Sequence, residues 1–159
     1  MICISTILLR QMQDHAQAQY PLECCGLMLG LPAGQSTDGP RAAKQVTQIC
    51  PAINAWEQAQ AAGEGVDLHK TPRERYWIDP AFIIATQKQA RDRQWSILGV
   101  YHSHPQGPAQ PSECDRQWAW SDYSYVIMGM DHGQVQDCQS WVLDDQHQFQ
   151  PEPVQILRP

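Results

Sequence analysis

Charge is scarce in this chain. Only 18% of its 159 residues are charged, and the 11 Lys and Arg are scattered, while 17 Asp and Glu leave a formal net charge of −6. Nucleic-acid binding needs a cationic stripe that neutralises phosphates, so this balance argues against such a partner. Long apolar runs are missing too. None approaches the roughly 18 residues of a membrane span, and Met1–Leu9 lacks the basic start and extended apolar centre of a secretory signal. The expectation is a cytoplasmic protein with no membrane partner. No self-similarity recurs at a period of about 20–50 residues, which excludes repeat architectures.

What remains suits one globular domain spanning residues 1–159. Apolar residues make up 42% of the chain, enough to bury a core. The six cysteines (Cys3, Cys24, Cys25, Cys50, Cys114 and Cys138) are even in number, but nothing marks the chain as secreted and adjacent Cys24 and Cys25 do not readily pair, so reduced thiols are expected. The 22 glutamines are spread along the whole length and read as a neutral polar surface.

Periodicity gives the order of elements. Met1–Ser5 reads as a strand, and Thr6 as the cap of a helix through Gln19 that presents Ile7, Leu8, Met12, His15 and Ala16 on one face, stopped by Tyr20–Pro21. Cys24–Gly30 is a short apolar run fit for a buried strand, Leu31–Pro40 a loop, and Ala42–Cys50 a further strand. Ala52–Thr71 is dominated by Ala, Gln, Gly and Glu with no sustained period; it reads as a mobile insertion in which Trp56 could meet a partner. Arg75–Asp79 is strand-like, Pro80 opens a helix to Gln94, and Trp95–Ser103 is a buried strand. A short helix over Ser112–Trp120 precedes strands at Tyr123–Met130, Gln136–Leu143 and Gln148–Ile156. Interleaved helices and strands predict a mixed sheet flanked by helices.

The chemistry lies at the end of the strand ending in Ser103. His102 and His104 are two apart, so on a strand both imidazoles project from one face and can converge on a metal. Gln106–Pro111 has the composition of a fixed turn leading to Ser112, and Asp115 in the first helical turn supplies a carboxylate able to face the histidines. Each piece has a plainer explanation. Ser112-x-x-Asp115 is also a capping box, and His-x-His also describes ordinary hydrogen-bonded histidines. Thiolate ligation by Cys25 or Cys114 is a rival, although successive helical residues point about 100° apart and Asp115 already has suitable spacing. A zinc deaminase would need His-x-Glu followed by Pro-Cys-x-x-Cys, and this chain has neither.

Taken together, His-Ser-His-Pro, six residues and Ser-x-x-Asp (His102, His104, Pro105, Ser112, Asp115) resemble the signature of the JAMM (MPN-plus) zinc metalloproteases. The segment Y-P-L-E-C-C-G-L-M-L-G at 20–30 is similar to the upstream stretch of that family, and R-Y-W-I-D-P at 75–80 and I-L-G-V-Y at 97–101 are similar to its small prokaryotic members. The resemblance implies an α/β (α+β) JAMM/MPN fold, similar to the cytidine deaminase-like one, and one Zn²⁺ per chain on His102, His104 and Asp115, with water as the fourth ligand. It implies Glu23 as general base and Ser112 as hydrogen-bond donor to the oxyanion; a carboxylate not in such a site would simply be exposed at a strand edge. It further implies hydrolysis of a peptide or isopeptide bond at the Gly-Gly tail of a ubiquitin-like or sulfur-carrier protein, the tail bound extended, as by strand addition at a sheet edge. Relatives without the ligands suggest the alternative, a non-catalytic MPN-type interaction module.

Overall fold

A computed structural model describes residues 1–35 and 43–158. The elements run β1 (Ile2–Ser5), α1 (Thr6–Gln19), β2 (Cys25–Leu31), β3 (Lys44–Ala52), α2 (Trp56–Ala62), α3 (Pro80–Asp92), β4 (Ser96–His104), α4 (Glu113–Trp118), β5 (Ser124–Asp131), β6 (Gln134–Leu143), β7 (Phe149–Glu152) and β8 (Val154–Leu157). All eight strands join one mixed sheet in the order β7-β6-β5-β4-β2-β3-β1-β8. The fold is therefore α+β, as the interleaved pattern predicts. The expected loop over Leu31–Pro40 and the start of the strand at Ala42 fall partly outside the described residues.

The central strands β2, β4 and β5 are nearly continuous apolar runs because both faces are covered. Alternate residues point to opposite sides. Met28, Tyr101, Val126 and Met128 pack with Met12 and Ala16 of α1, while Leu27, Val100 and Tyr125 pack with Ile78, Phe82 and Ile83 at the start of α3. Two helix starts explain themselves. Ser5 accepts a hydrogen bond from the Leu8 amide at 3.2 Å, so Ser5 and not Thr6 caps α1. Asp79 accepts from Ala81 and Pro80 fills the first turn of α3. Gly99 is required by close approach: a Cβ there would stand 1.9 Å from the Ser124 carbonyl oxygen of the neighbouring strand.

Three stretches differ from the sequence expectation. Residues 52–71, read as an aperiodic insertion, contain α2, whose Trp56 and Ala59 pack against Val66 and Trp77. One large residue in two turns is too sparse a pattern to register as a helical face. The strand-like Arg75–Asp79 is extended but joins no ladder; Trp77 pairs instead with the Asn54 side chain and the Ala55 amide. The single strand expected over Gln148–Ile156 is two, β7 and β8, parted by Pro153 and lying on opposite margins of the sheet. A flat eight-stranded sheet would hold its margins roughly 34 Å apart at about 4.8 Å per strand, whereas two Cα steps span at most ~7.6 Å. The sheet must therefore curl until its margins meet. The Ile2 amide donates to the Pro153 carbonyl at 3.0 Å at that seam. No described helix is long and apolar enough to cross a membrane.

Candidate metal centre

The interior strand β4 carries the histidines. Residues 102 and 104 share a face, and β4 is hydrogen-bonded on one side to β2 (Cys25 opposite His102) and on the other to β5 (Ile127 and Gly129 opposite His102 and His104). The β2 ladder ends at the Cys25–His102 pair, whereas the β5 ladder continues to His104. Beyond His104 the chain turns over Gly129, where a Cβ would lie 2.6 Å from the Ala109 amide nitrogen, and the Trp141 indole donates to the Ala109 carbonyl at 2.9 Å. This pinned turn delivers Ser112 to the start of α4.

The three proposed ligands converge. His102 Nε2 and His104 Nε2 are 3.1 Å apart, Asp115 Oδ1 is 3.2 Å from the former, and Asp115 Oδ2 is 3.5 Å from the latter. Tetrahedral ligands bonded at about 2.0–2.1 Å would be separated by roughly 3.3–3.4 Å; taking one atom from each residue, the three donors lie within 4.8 Å of one another, a group that could hold a metal ion. The ring orientations agree with this. His104 Nδ1 lies 3.0 Å from the Pro108 carbonyl, which favours a proton on Nδ1 and leaves the Nε2 lone pair facing the cluster. His102 is fully buried, its Nδ1 has no partner, and the Tyr76 ring lies over it with centroids 4.6 Å apart. Among the described residues this is the one group of His, Cys, Asp and Glu side chains able to share a metal. Cys25 and Cys114 are not in it, and every cysteine is a free thiol.

Electrostatics distinguish the members. Burial opposes charge on Asp115, but His102 and hydrogen bonds from His102, His104 and Ser112 outweigh it and hold the carboxyl far below the usual range. Burial lowers the His102 pKa against the pull of Asp115. For His104 burial is overcome by Asp115 and Glu23, and its pKa is raised. Glu23 sits between α1 and β2, only 6% exposed, its amide donating to the Pro72 carbonyl at 2.8 Å. Burial pushes its carboxyl up to about 8, with His104 and Arg75 pulling down and Asp115 and Glu74 pushing up. Glu23 and Asp115 line one cavity of about 560 Å³.

Ser112 fills the capping role that its sequence context allows. Its hydroxyl and its amide each donate to Asp115 Oδ2 at 2.6 Å, and the Asp115 amide donates back to Ser112 Oγ at 3.2 Å. This is a complete capping box, and the hydroxyl proton is engaged with Asp115.

A family model described as prokaryotic homologs of the JAB domain matches residues 5–144. The chain belongs to this family. Among relatives of this JAB-domain protein, one from Thermus thermophilus, a probable TtuB-protein conjugate cleaving protease, is 29% identical over 124 residues, covering 78% of this chain and 67% of that protein. A second, the desampylase of Haloferax volcanii, is 30% identical over 125 residues, covering 78% and 74%. The solution structure of DSY2949 from Desulfitobacterium hafniense superposes with a TM-score of 0.76 at 25% identity, covering all of this chain and 94% of that one. A protein from Salinibacter ruber shares the fold at 24% identity with a TM-score of 0.65, covering all of this chain and 92% of that one.

Two residues of the JAB-domain site escaped the sequence reading. Asn54 is a hub: its amide nitrogen lies within hydrogen-bond distance of the Glu23, Pro72 and Arg75 carbonyls, and its Oδ1 accepts from the Trp56 and Trp77 amides. Nothing around it in an Ala- and Gln-rich stretch marks it out. Tyr76, covering His102, was legible only as part of a strand-like run.

Proposed function

We propose that this JAB-domain protein is a cytoplasmic zinc-dependent hydrolase that cleaves a peptide or isopeptide bond at the C-terminal tail of a ubiquitin-like or sulfur-carrier protein. The observation that carries the reading is the convergence of two imidazole nitrogens and one carboxylate, spaced 3.1–3.5 Å apart, beside a buried glutamate. The names of the Thermus and Haloferax relatives, a conjugate-cleaving protease and a desampylase, support the substrate class.

His102, His104 and Asp115 would hold one zinc ion. Bound there, zinc supplies a Lewis acid and a water whose pKa falls to about 7. Glu23 accepts the proton of the attacking water and passes it to the departing amine; burial raises its proton affinity, and a cation held by the three neighbouring side chains would favour the carboxylate that the first transfer needs. Ser112 turns its hydroxyl from Asp115 to the developing oxyanion, and Asp115 Oδ2 keeps the Ser112 amide as donor when it does so. The substrate tail enters at the C-terminal end of β4, where the β2 ladder has ended and only β5 still pairs with the strand. Purified protein should contain one zinc per chain and release a ubiquitin-like protein from a conjugate at its Gly-Gly end, while Glu23→Gln keeps the metal and loses turnover. A Glu23→Gln variant with full activity, or a chain unable to take up zinc, would overturn the reading and leave the interaction-module alternative.

A further inference from the structure

We infer that Tyr76 is a positioning residue of the metal centre: its ring, laid on the face of His102, does for that ligand what a hydrogen bond to the second ring nitrogen does elsewhere. The inference rests on the metal-centre reading above and assigns a role that the ligand set leaves open. An imidazole that binds a metal through one nitrogen almost always donates from the other to a carboxylate, a carbonyl or water, and losing that partner weakens binding roughly 10–100-fold. His104 follows the rule, its Nδ1 lying 3.0 Å from the Pro108 carbonyl. His102 does not. Its ring is fully buried, and its Nδ1 is the one buried side-chain nitrogen or oxygen without a hydrogen-bond partner among the described residues. A histidine ring turns in a broad, two-fold torsional well, so its plane needs a neighbour to fix it. The Tyr76 ring is that neighbour, with centroids 4.6 Å apart and planes 30° apart, inside the roughly 4.5–7 Å range of offset aromatic pairs.

The local backbone holds Tyr76 in place. Residues 75–79 are extended yet join no ladder, and their polar groups are taken up by one side chain and one turn instead. The Arg75 carbonyl accepts from Asn54 Nδ2 at 2.9 Å, the Trp77 amide donates to Asn54 Oδ1 at 3.2 Å, and the Trp77 carbonyl accepts from the Ala55 amide at 2.8 Å. Both neighbours of Tyr76 are therefore pinned, and its own side chain packs with the cluster that contains Cys25, Val100 and Tyr125. The Trp77 ring stands edge-on to Trp118 of α4, centroids 5.5 Å apart, so the same segment meets the helix that carries Asp115. Tyr76 and Trp77 thus tie the ring of one ligand and the helix of another to a single stretch of backbone. The consequence is preorganisation: the torsional freedom of His102 is removed when the chain folds, not when the ion arrives.

The test compares three variants with the unaltered protein, each prepared metal-free and titrated with zinc by calorimetry. Tyr76→Leu should weaken zinc binding roughly 10–100-fold, the usual loss when a ligand is no longer oriented. Tyr76→Phe keeps the ring and should bind as the unaltered protein does. Phe82→Leu removes an aromatic ring from the same core cluster without touching the cavity that Glu23 and Asp115 line, and should lower Tm while leaving zinc affinity unchanged. No loss of affinity in Tyr76→Leu, or an equal loss in Tyr76→Phe or in Phe82→Leu, overturns the inference. The His102 ring resonances of the metal-free protein give a readout that needs no zinc. In the unaltered protein and Tyr76→Phe they should be sharp and displaced by the ring current of residue 76, and in Tyr76→Leu undisplaced and broadened by exchange. An undisplaced His102 ring in the unaltered protein overturns the inference whether or not Tyr76→Leu folds. A protein that takes up no zinc yet shows this contrast would sink the metal reading and support the orienting contact.

Discussion

Replacing Glu23 by Gln should make the metal-free protein more stable, and increasingly so as the pH rises. The carboxyl is 6% exposed and its pKa moves from 4.5 to about 8 on folding, chiefly by burial. A raised acid pKa means that the folded state holds its proton more tightly than the unfolded chain does. The associated stability is present below pH ~4.5 and is lost progressively up to pH ~8. At 1.36 kcal/mol per pKa unit, the wild type loses roughly 3–4 kcal/mol between pH 5 and pH 8.5 through this one group, and Glu23→Gln loses none of it. For a domain of this size that corresponds to a relative change in Tm of about 10 °C. The assay is thermal and denaturant unfolding of chelator-treated wild type and Glu23→Gln across this pH range. Zinc should shrink the difference, because a nearby cation favours the carboxylate. The same substitution should cost about 10²–10⁴-fold in turnover, the usual contribution of a general acid–base group. Parallel stability curves for the two proteins would refute the claim that Glu23 is a buried, destabilising carboxylate held for its chemistry.

Other consequences are open to measurement. Asp115→Asn and His104→Ala should each abolish stoichiometric zinc by elemental analysis and remove the zinc-dependent rise in stability, about 4 kcal/mol at a thousand-fold excess over Kd. Zinc affinity of the wild type, measured by calorimetry at pH 8, 7 and 6, should fall toward acid, since His104 must lose its proton to bind and its pKa is raised, so competition begins at a higher pH than for an ordinary histidine. Gly99→Ala places a methyl 1.9 Å from the Ser124 carbonyl and should destabilise by roughly 3 kcal/mol or more, read as a lowered Tm, with loss of zinc because the same strand carries both histidines. Asn54→Ala breaks bonds to five backbone groups and should lower stability by about 3 kcal/mol and reduce turnover more than zinc content.

Much of this was legible because its signals are local. His102 and His104 on a buried run, and Ser112 three residues before Asp115, follow from the two-residue period of strands and the capping pattern of helices; the folded chain brings His102, His104 and Asp115 together in a group that could hold a metal. The central strands were recognisable as apolar runs closed by glycine or proline. Other features depend on partners distant in sequence. Asn54 acts through backbone groups of residues 23, 72 and 75, which no local pattern relates. The extended 75–79 segment has strand-like residues, but its backbone is engaged by side chains and turns instead of a ladder. The break at Pro153 was missed because strand-forming residues, Phe149 before it and Val154 and Ile156 after it, stand on both sides, while the two halves lie on opposite margins of the sheet.

That arrangement bears on how the chain matures. Cys3 of the first strand pairs with Gln155 of the last, 152 positions away, and its other neighbour, β3, begins only at Lys44. Ile2 and Ile4 pack with Met12 and Ala16 of the next helix, but one side of the β1 ladder has no partner until β8 is in place. Pairing across so long a stretch of chain slows folding, because the loop it closes must be ordered before the contact forms.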